Sequence, residues 1–183
     1  MKIYRIWHDE NFRVFEPLNN TLENRNSLNF DGAVLKEWES IPLVASNYKT
    51  EKKLLVGDIS FTGDVSSFLL NEQSYNILYP IIKDSAQFFR TESNYGDLYV
   101  VNVTCVLDCL DREKSNVVLF PSSERIMAIK EFAFSMDMIG NNILFKIPEK
   151  SKSFSFATEE FKKIVEENGL TGIKFIPLWD SEK

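Results

Sequence analysis

Histidine is almost missing: His8 stands alone in a chain of 183 residues. A zinc site built from several imidazoles, or an H-E-x-x-H helix, is therefore excluded. Cysteine is nearly as scarce, with only Cys105 and Cys109. A disulfide framework is not expected, and two thiols fit a reduced, cytoplasmic setting. Glycine occurs seven times and forms no G-x-x-x-x-G-K, G-x-G-x-x-G or G-x-S-x-G motif, so no phosphate loop, dinucleotide cradle or nucleophile elbow is present. No apolar run reaches the ~20 residues that span a bilayer. "MKIYRIWHDENF" is charged and lacks an apolar signal-peptide core. Positive charge is also short, 21 Lys and Arg against 27 Asp and Glu, for a net charge of −6. Phosphate backbones are bound by clustered cations. Neither nucleic acid nor membrane is expected as a partner, and no cofactor is implied.

What the chain does contain is aromatic surface: 15 Phe, six Tyr and three Trp. Such side chains bury large areas, and 44% hydrophobic against 26% charged residues is the balance of a globular protein. "KIYRIWH" (2–8) and "NFRVFE" (11–16) flank the polar "DEN" and read as a hairpin. The Asn-rich stretch 17–32 reads as a loop. Residues 33–44 are ambiguous between a short helix and extended chain, and 52–64 read as strand and turn with the break at Gly57-Asp58. In 71–85, Tyr75, Leu78, Tyr79 and Ile82 recur at helical spacing behind an Asn71 cap, and Pro80 should kink or split the helix. Residues 158–169 form a second helix, with Thr158 as cap, Glu159 and Glu160 at its positive end and Gly169 at C′. Phe161, Ile164 and Val165 form its buried stripe. Short strands at close spacing fill 97–148, and 172–180 is a closing strand. Repeats, low-complexity tracts and linkers are missing. The expected architecture is α+β, mainly antiparallel sheet with two principal amphipathic helices, in a single domain over residues 1–183.

"VLDCLDREKS" (106–115) is the stretch that invites a chemical reading, with Asp108, Asp111 and Glu113 beside the two cysteines. If 97–110 is one strand, Tyr99, Val101, Val103, Cys105, Leu107 and Cys109 share an apolar face. The two cysteines then lie ~13 Å apart, beyond disulfide reach, and read as buried apolar thiols. His8 pairing with either as a nucleophile's base is the catalytic alternative. Asp111, in a segment without apolar residues, suits a turn whose backbone N–H groups it accepts. The competing reading is a metal-dependent hydrolase using Asp108, Asp111 and a further carboxylate. Trp7, Trp38 and Trp179 are candidate interface anchors, although flanking apolar residues favour core positions for at least two.

Stretches spread in order along the chain resemble the bacterial polymorphic-toxin immunity proteins, specifically the family numbered eleven. They are "YRIW", "FDGAVLKEWESIPL", "GDISF", "SYNILYPII", "LYVVNVTCVLDCLDREKS", "ILFKIP" and "FATEEFKKIVEENGLTGIKFIPLWD". The D-x-L-D-x-x-x-S run at 108–115 and the terminal helix, "GLTG", strand and Trp-Asp unit carry most of the likeness. The stretch 17–32 departs from the pattern. The resemblance implies an α+β, non-enzymatic inhibitor that binds a cognate toxin encoded next to it, a nuclease in many such systems. Asp108, Asp111, Ser115, Gly172 and Trp179 match family-pattern positions and read as structural residues. An acidic surface would suit a basic nuclease, in a tight one-to-one complex that rests on a few aromatic anchors and covers the active site or an exosite beside it. A general protein-binding scaffold is the remaining alternative.

Overall fold

A computed structural model describes residues 1–46, 53–63 and 66–182. In chain order, the first half comprises β1 (Lys2–His8), β2 (Phe15–Pro17), α1 (Leu22–Ser27), β3 (Leu43–Ala45), β4 (Ile59–Phe61), β5 (Phe68–Leu70), α2 (Glu72–Ile82), β6 (Ala86–Thr91) and β7 (Leu98–Val103). The second half comprises β8 (Asn116–Leu119), β9 (Ile126–Glu131), α3 (Met136–Ile139), β10 (Leu144–Phe145), β11 (Phe156–Thr158), α4 (Glu159–Glu167) and β12 (Ile173–Asp180). Two four-stranded sheets, ordered β10-β11-β1-β12 and β4-β5-β7-β6, are joined by the ribbons β2-β3 and β8-β9. Every pair of named strands is antiparallel. The fold is α+β, with α2 and α4 as its longest helices.

Alternation along the strands explains how the sheets bury both faces. In β7, Val101 and Val103 enter a first core with Ile59, Phe61, Phe68, Leu78, Ile82, Phe161 and Val165. Their neighbours Leu98 and Val100 point the other way, into a core with Phe15, Leu28, Phe30, Ile41 and Leu43. The sheet containing β1 is likewise covered twice: Ile6, Leu144 and Ala157 join the first core, while Ile3, Phe145 and Phe156 join a third with Cys109, Leu110 and Phe134. Burial on both faces explains why "LYVV" lacks the polar alternation of a half-exposed strand.

The helices end where their chemistry dictates. Asn71 caps α2 by accepting the Ser74 N–H at 2.9 Å, and its own Nδ2 donates to Asp58. Pro80 does not split α2. It stands in the last turn, and the helix stops two residues later. At the end of α4, Gly169 has φ +63°, its N–H donates to Glu166 O, and the Leu170 N–H donates to Val165 O. That is the Schellman pattern, in which glycine takes a left-handed backbone without a Cβ clash. Thr158 occupies the N-cap position of α4 but makes no capping bond there.

Several expectations are overturned. The 2–8/11–16 hairpin does not form. "DEN" does turn, with the Phe12 N–H on Asp9 O, but both edges of β1 are taken by β11 and β12, so Phe15 pairs instead with Ala45. The 17–32 loop contains α1, capped by the Thr21 hydroxyl accepting from the Asn24 N–H at 3.1 Å; α1 buries no residue, so no apolar stripe announces it. Residues 33–42 form no helix, and extended structure begins at Leu43. Within 52–64 the strand is confined to Ile59–Phe61, and both end residues of that range lie outside the described ones. The strand read over 97–110 ends at Val103.

Candidate functional site

The polar stretch 106–115 is shaped by neighbours far away in sequence. Beyond β7, the Thr104 and Cys105 N–H groups both donate to Ser85 O, which takes the chain out of the β6-β7 ladder. Single bridges then guide it: Leu107 N–H to Lys146 O at 2.9 Å, Lys146 N–H to Cys105 O at 2.8 Å, and Ser135 N–H to Cys109 O at 2.9 Å. The segment is extended but never belongs to one continuous strand, so the period-two face does not run through it. Cys109 is buried and Cys105 half-buried; both thiols are free. Burial pushes the Cys109 thiol up to about 12 and raises that of Cys105. Cys105 Sγ lies 3.4 Å from Asn142 Oδ1, while His8 packs against Trp7 and Phe61. The structure gives His8 and the cysteines separate surroundings.

Both carboxylates are engaged locally. Asp111 Oδ1 accepts the Lys114 N–H at 3.1 Å, and its Oδ2 pairs with Lys114 Nζ at 3.0 Å. These two contacts, the side-chain one first, hold its carboxyl below the usual range. Ser115 N–H closes the turn on Asp111 O at 2.9 Å. The Ser115 hydroxyl, itself buried, meets Ala133 twice, accepting its N–H at 3.0 Å and donating to its carbonyl at 3.3 Å. Asp108 is exposed and pairs with Arg112 at 2.7 Å, and Arg112 also reaches Glu149. Among the described residues no group of three or more His, Cys, Asp and Glu is placed to hold a metal ion.

The other two positions singled out in the sequence lie at opposite ends of β12, Gly172 just before it and Trp179 near its last residue. Gly172 has φ +93°, and a Cβ there would overlap the Ile59 carbonyl oxygen. Its own carbonyl accepts the Asp9 N–H at 3.1 Å. Trp179 is half-buried on β12 opposite Ile3, with its ring 5.8 Å from that of Phe134. Neither position joins Asp111 and Ser115 at a shared cleft. What the structure brings together in this part of the molecule is a third core and the turns around it.

Three features were not read from the sequence. Lys146, in the middle of "ILFKIP", is completely buried. Its Nζ donates to Phe30 O at 2.7 Å, Ser66 O at 3.1 Å and Ser151 O at 2.6 Å. A lysine set among apolar strand residues was the available signal, since buried ammonium groups require partners. The second feature is the β8-β9 ribbon, whose pairing skips Met127 and Lys130. These bulges let Ile126 and Ile129 both pack on the third core, while Leu119, Phe120 and Met127 stay exposed. The third is a groove between α1 and residues 35–42, of about 650 Å³.

No helix among the described residues is long and apolar enough to cross a membrane. A search of curated proteins finds no match to the chain. A family model described as Immunity protein family (Imm11) matches residues 82–180, more than half of the sequence and the whole run from the end of α2 through β12. The matched part includes the Asp108–Ser115 turn, Lys146, α4, Gly172 and Trp179. The chain belongs to the Imm11 immunity protein family.

Proposed function

We propose that this protein neutralises a cognate toxin by binding it stoichiometrically, without catalysis, in the cytoplasm of the bacterium that makes both. The family match over 82–180 carries the reading. The net charge of −6 supports a basic toxin, and a nuclease is the class whose substrate groove such a surface would oppose. Residues 1–183 act as one domain. In this reading Asp108, Asp111, Ser115, Gly172 and Trp179 maintain the scaffold through the Arg112 ion pair, the Lys114 turn, the Ala133 bonds, the close approach to Ile59 and the packing on Phe134. The test is co-expression with the toxin domain encoded beside it. Survival only in the presence of this protein, with a one-to-one complex on size exclusion, is expected. Loss of viability despite co-expression, together with separate elution, would overturn the proposal.

A further inference from the structure

The groove between α1 and residues 35–42 has an apolar floor and an acidic rim. Leu35, Trp38 and Ile41 line it together with the carboxylates of Glu23, Glu37 and Glu39. All three glutamates are exposed. Among the described residues none of them forms an ion pair, and no Lys or Arg lines the groove. Arg25, on the same short helix, lines a different recess with Trp7 and His8. Nor are the three carboxylates placed to converge on one metal ion. Charge distributed in this way fits cations spaced along a chain better than a single divalent ion.

The segment carrying Trp38 is held in place before anything binds. Gln87 on β6 accepts the Leu35 N–H at 2.8 Å and donates to Leu35 O at 2.9 Å. Thr91, at the other end of β6, donates to Ile41 O at 2.6 Å. Trp38 stacks on Phe89 at 4.6 Å between ring centroids, and its Nε1–H is buried, with no acceptor among the described residues. A guanidinium is attracted to an indole face, most strongly where water is displaced. Apolar floor and unpaired carboxylates thus ask for the same occupant.

We infer that this groove docks a basic, arginine-containing segment of the toxin; the inference rests on the toxin-binding reading for the source of that segment. Fixing 35–42 in advance reduces the ordering cost of association, and the rim charges speed the encounter. Three preparations of the full chain test it: wild type, the triple variant Glu23→Gln, Glu37→Gln, Glu39→Gln, and a control triple variant Glu113→Gln, Glu124→Gln, Glu160→Gln. Both triple variants change net charge equally. Each is titrated with a hexa-arginine peptide, followed by tryptophan fluorescence against a Trp38→Phe reference, and with catalytically inactivated toxin. The groove triple should bind both probes about tenfold more weakly than wild type, and the control should match wild type. Equal affinities for hexa-arginine in the two triples, or no Trp38 response, would overturn the groove whatever the toxin does. Wild type that binds hexa-arginine through Trp38 but forms no complex with toxin would instead overturn the toxin-binding reading. Toxin bound equally by all three preparations would show that its interface lies elsewhere.

Discussion

Replacing Gly172 by alanine tests a close main-chain junction between the segments leading into β4 and β12. The residue has φ +93°, outside the small left-handed region that other residues tolerate, and holding a side chain there costs ~1–3 kcal/mol. The added Cβ also has no room: it would overlap Ile59 O and lie 3.2 Å from Ile59 C and 3.1 Å from Gly57 Cα. All of these are main-chain atoms, so relief requires moving β4 or β12. Moving them would disturb the Ile59 N–H to Thr171 O bond, 2.9 Å, and the Asp9 N–H to Gly172 O bond, 3.1 Å. Weakening these bonds adds ~1 kcal/mol each, for a total of about 4 kcal/mol. In a domain of this size ~4 kcal/mol lowers Tm by roughly 10 °C, readable by circular dichroism or scanning fluorimetry. Gly63 is the control: among the described residues a Cβ there meets nothing within 4 Å, and Gly63→Ala should shift stability by under ~1 kcal/mol. A Gly172→Ala protein melting within about 3 °C of wild type would refute the packing argument.

Three further outcomes are expected. Burial raises the Asp58 carboxyl, but hydrogen bonds from the Thr171 hydroxyl and amide and from Asn71 prevail and leave it below its usual 3.8. Its folded value lies under the unfolded one, so its contribution is present above pH ~4 and disappears as pH falls through the folded value; Asp58→Asn should flatten the acid limb of a Tm-against-pH curve, and an unaltered limb would contradict this. Cys109, with its thiol near 12, should resist iodoacetamide at pH 8 until the chain is unfolded, and labelling of Cys109 in the folded state by mass spectrometry would show the site misjudged. Finally, Mg²⁺, Mn²⁺ or a chelator should leave Tm unaltered, whereas Asp111→Ala should lower stability by ~1 kcal/mol through the lost turn cap; stabilisation by metal through linkage would restore the hydrolase alternative.

Where local chemistry decides, the sequence is a good guide. Asn71 sits at the start of α2, and Gly169 at the end of α4, because a side-chain oxygen and a missing Cβ act on the immediate backbone. Val100 and Val101 belong to a strand whichever core each enters. Partners far apart in sequence are another matter. The β1 strand pairs Ile3 with Thr158 and Trp179, both at the other end of the chain, and nothing in "KIYRIWH" distinguishes those partners from the nearby "NFRVFE". The break after Val103 depends on Ser85 O, and the course of 105–111 on residues 133–146. The Glu23, Glu37 and Glu39 rim was invisible for the same reason: α1 has no buried stripe, and residues 35–42 are positioned by the side chains of Gln87 and Thr91.

Lys146 gives the molecule a common hub. Its amine draws on carbonyls at Phe30, Ser66 and Ser151, three places that no helix or sheet links directly. If any one of those loops swings away, an interior donor loses an acceptor, at a cost of ~1–3 kcal/mol. Opening of any one of these three loops is therefore discouraged, and heat should release them together in one transition. A member of an immunity family gains from that arrangement, because opened forms of these loops, which proteases could cut, are kept rare.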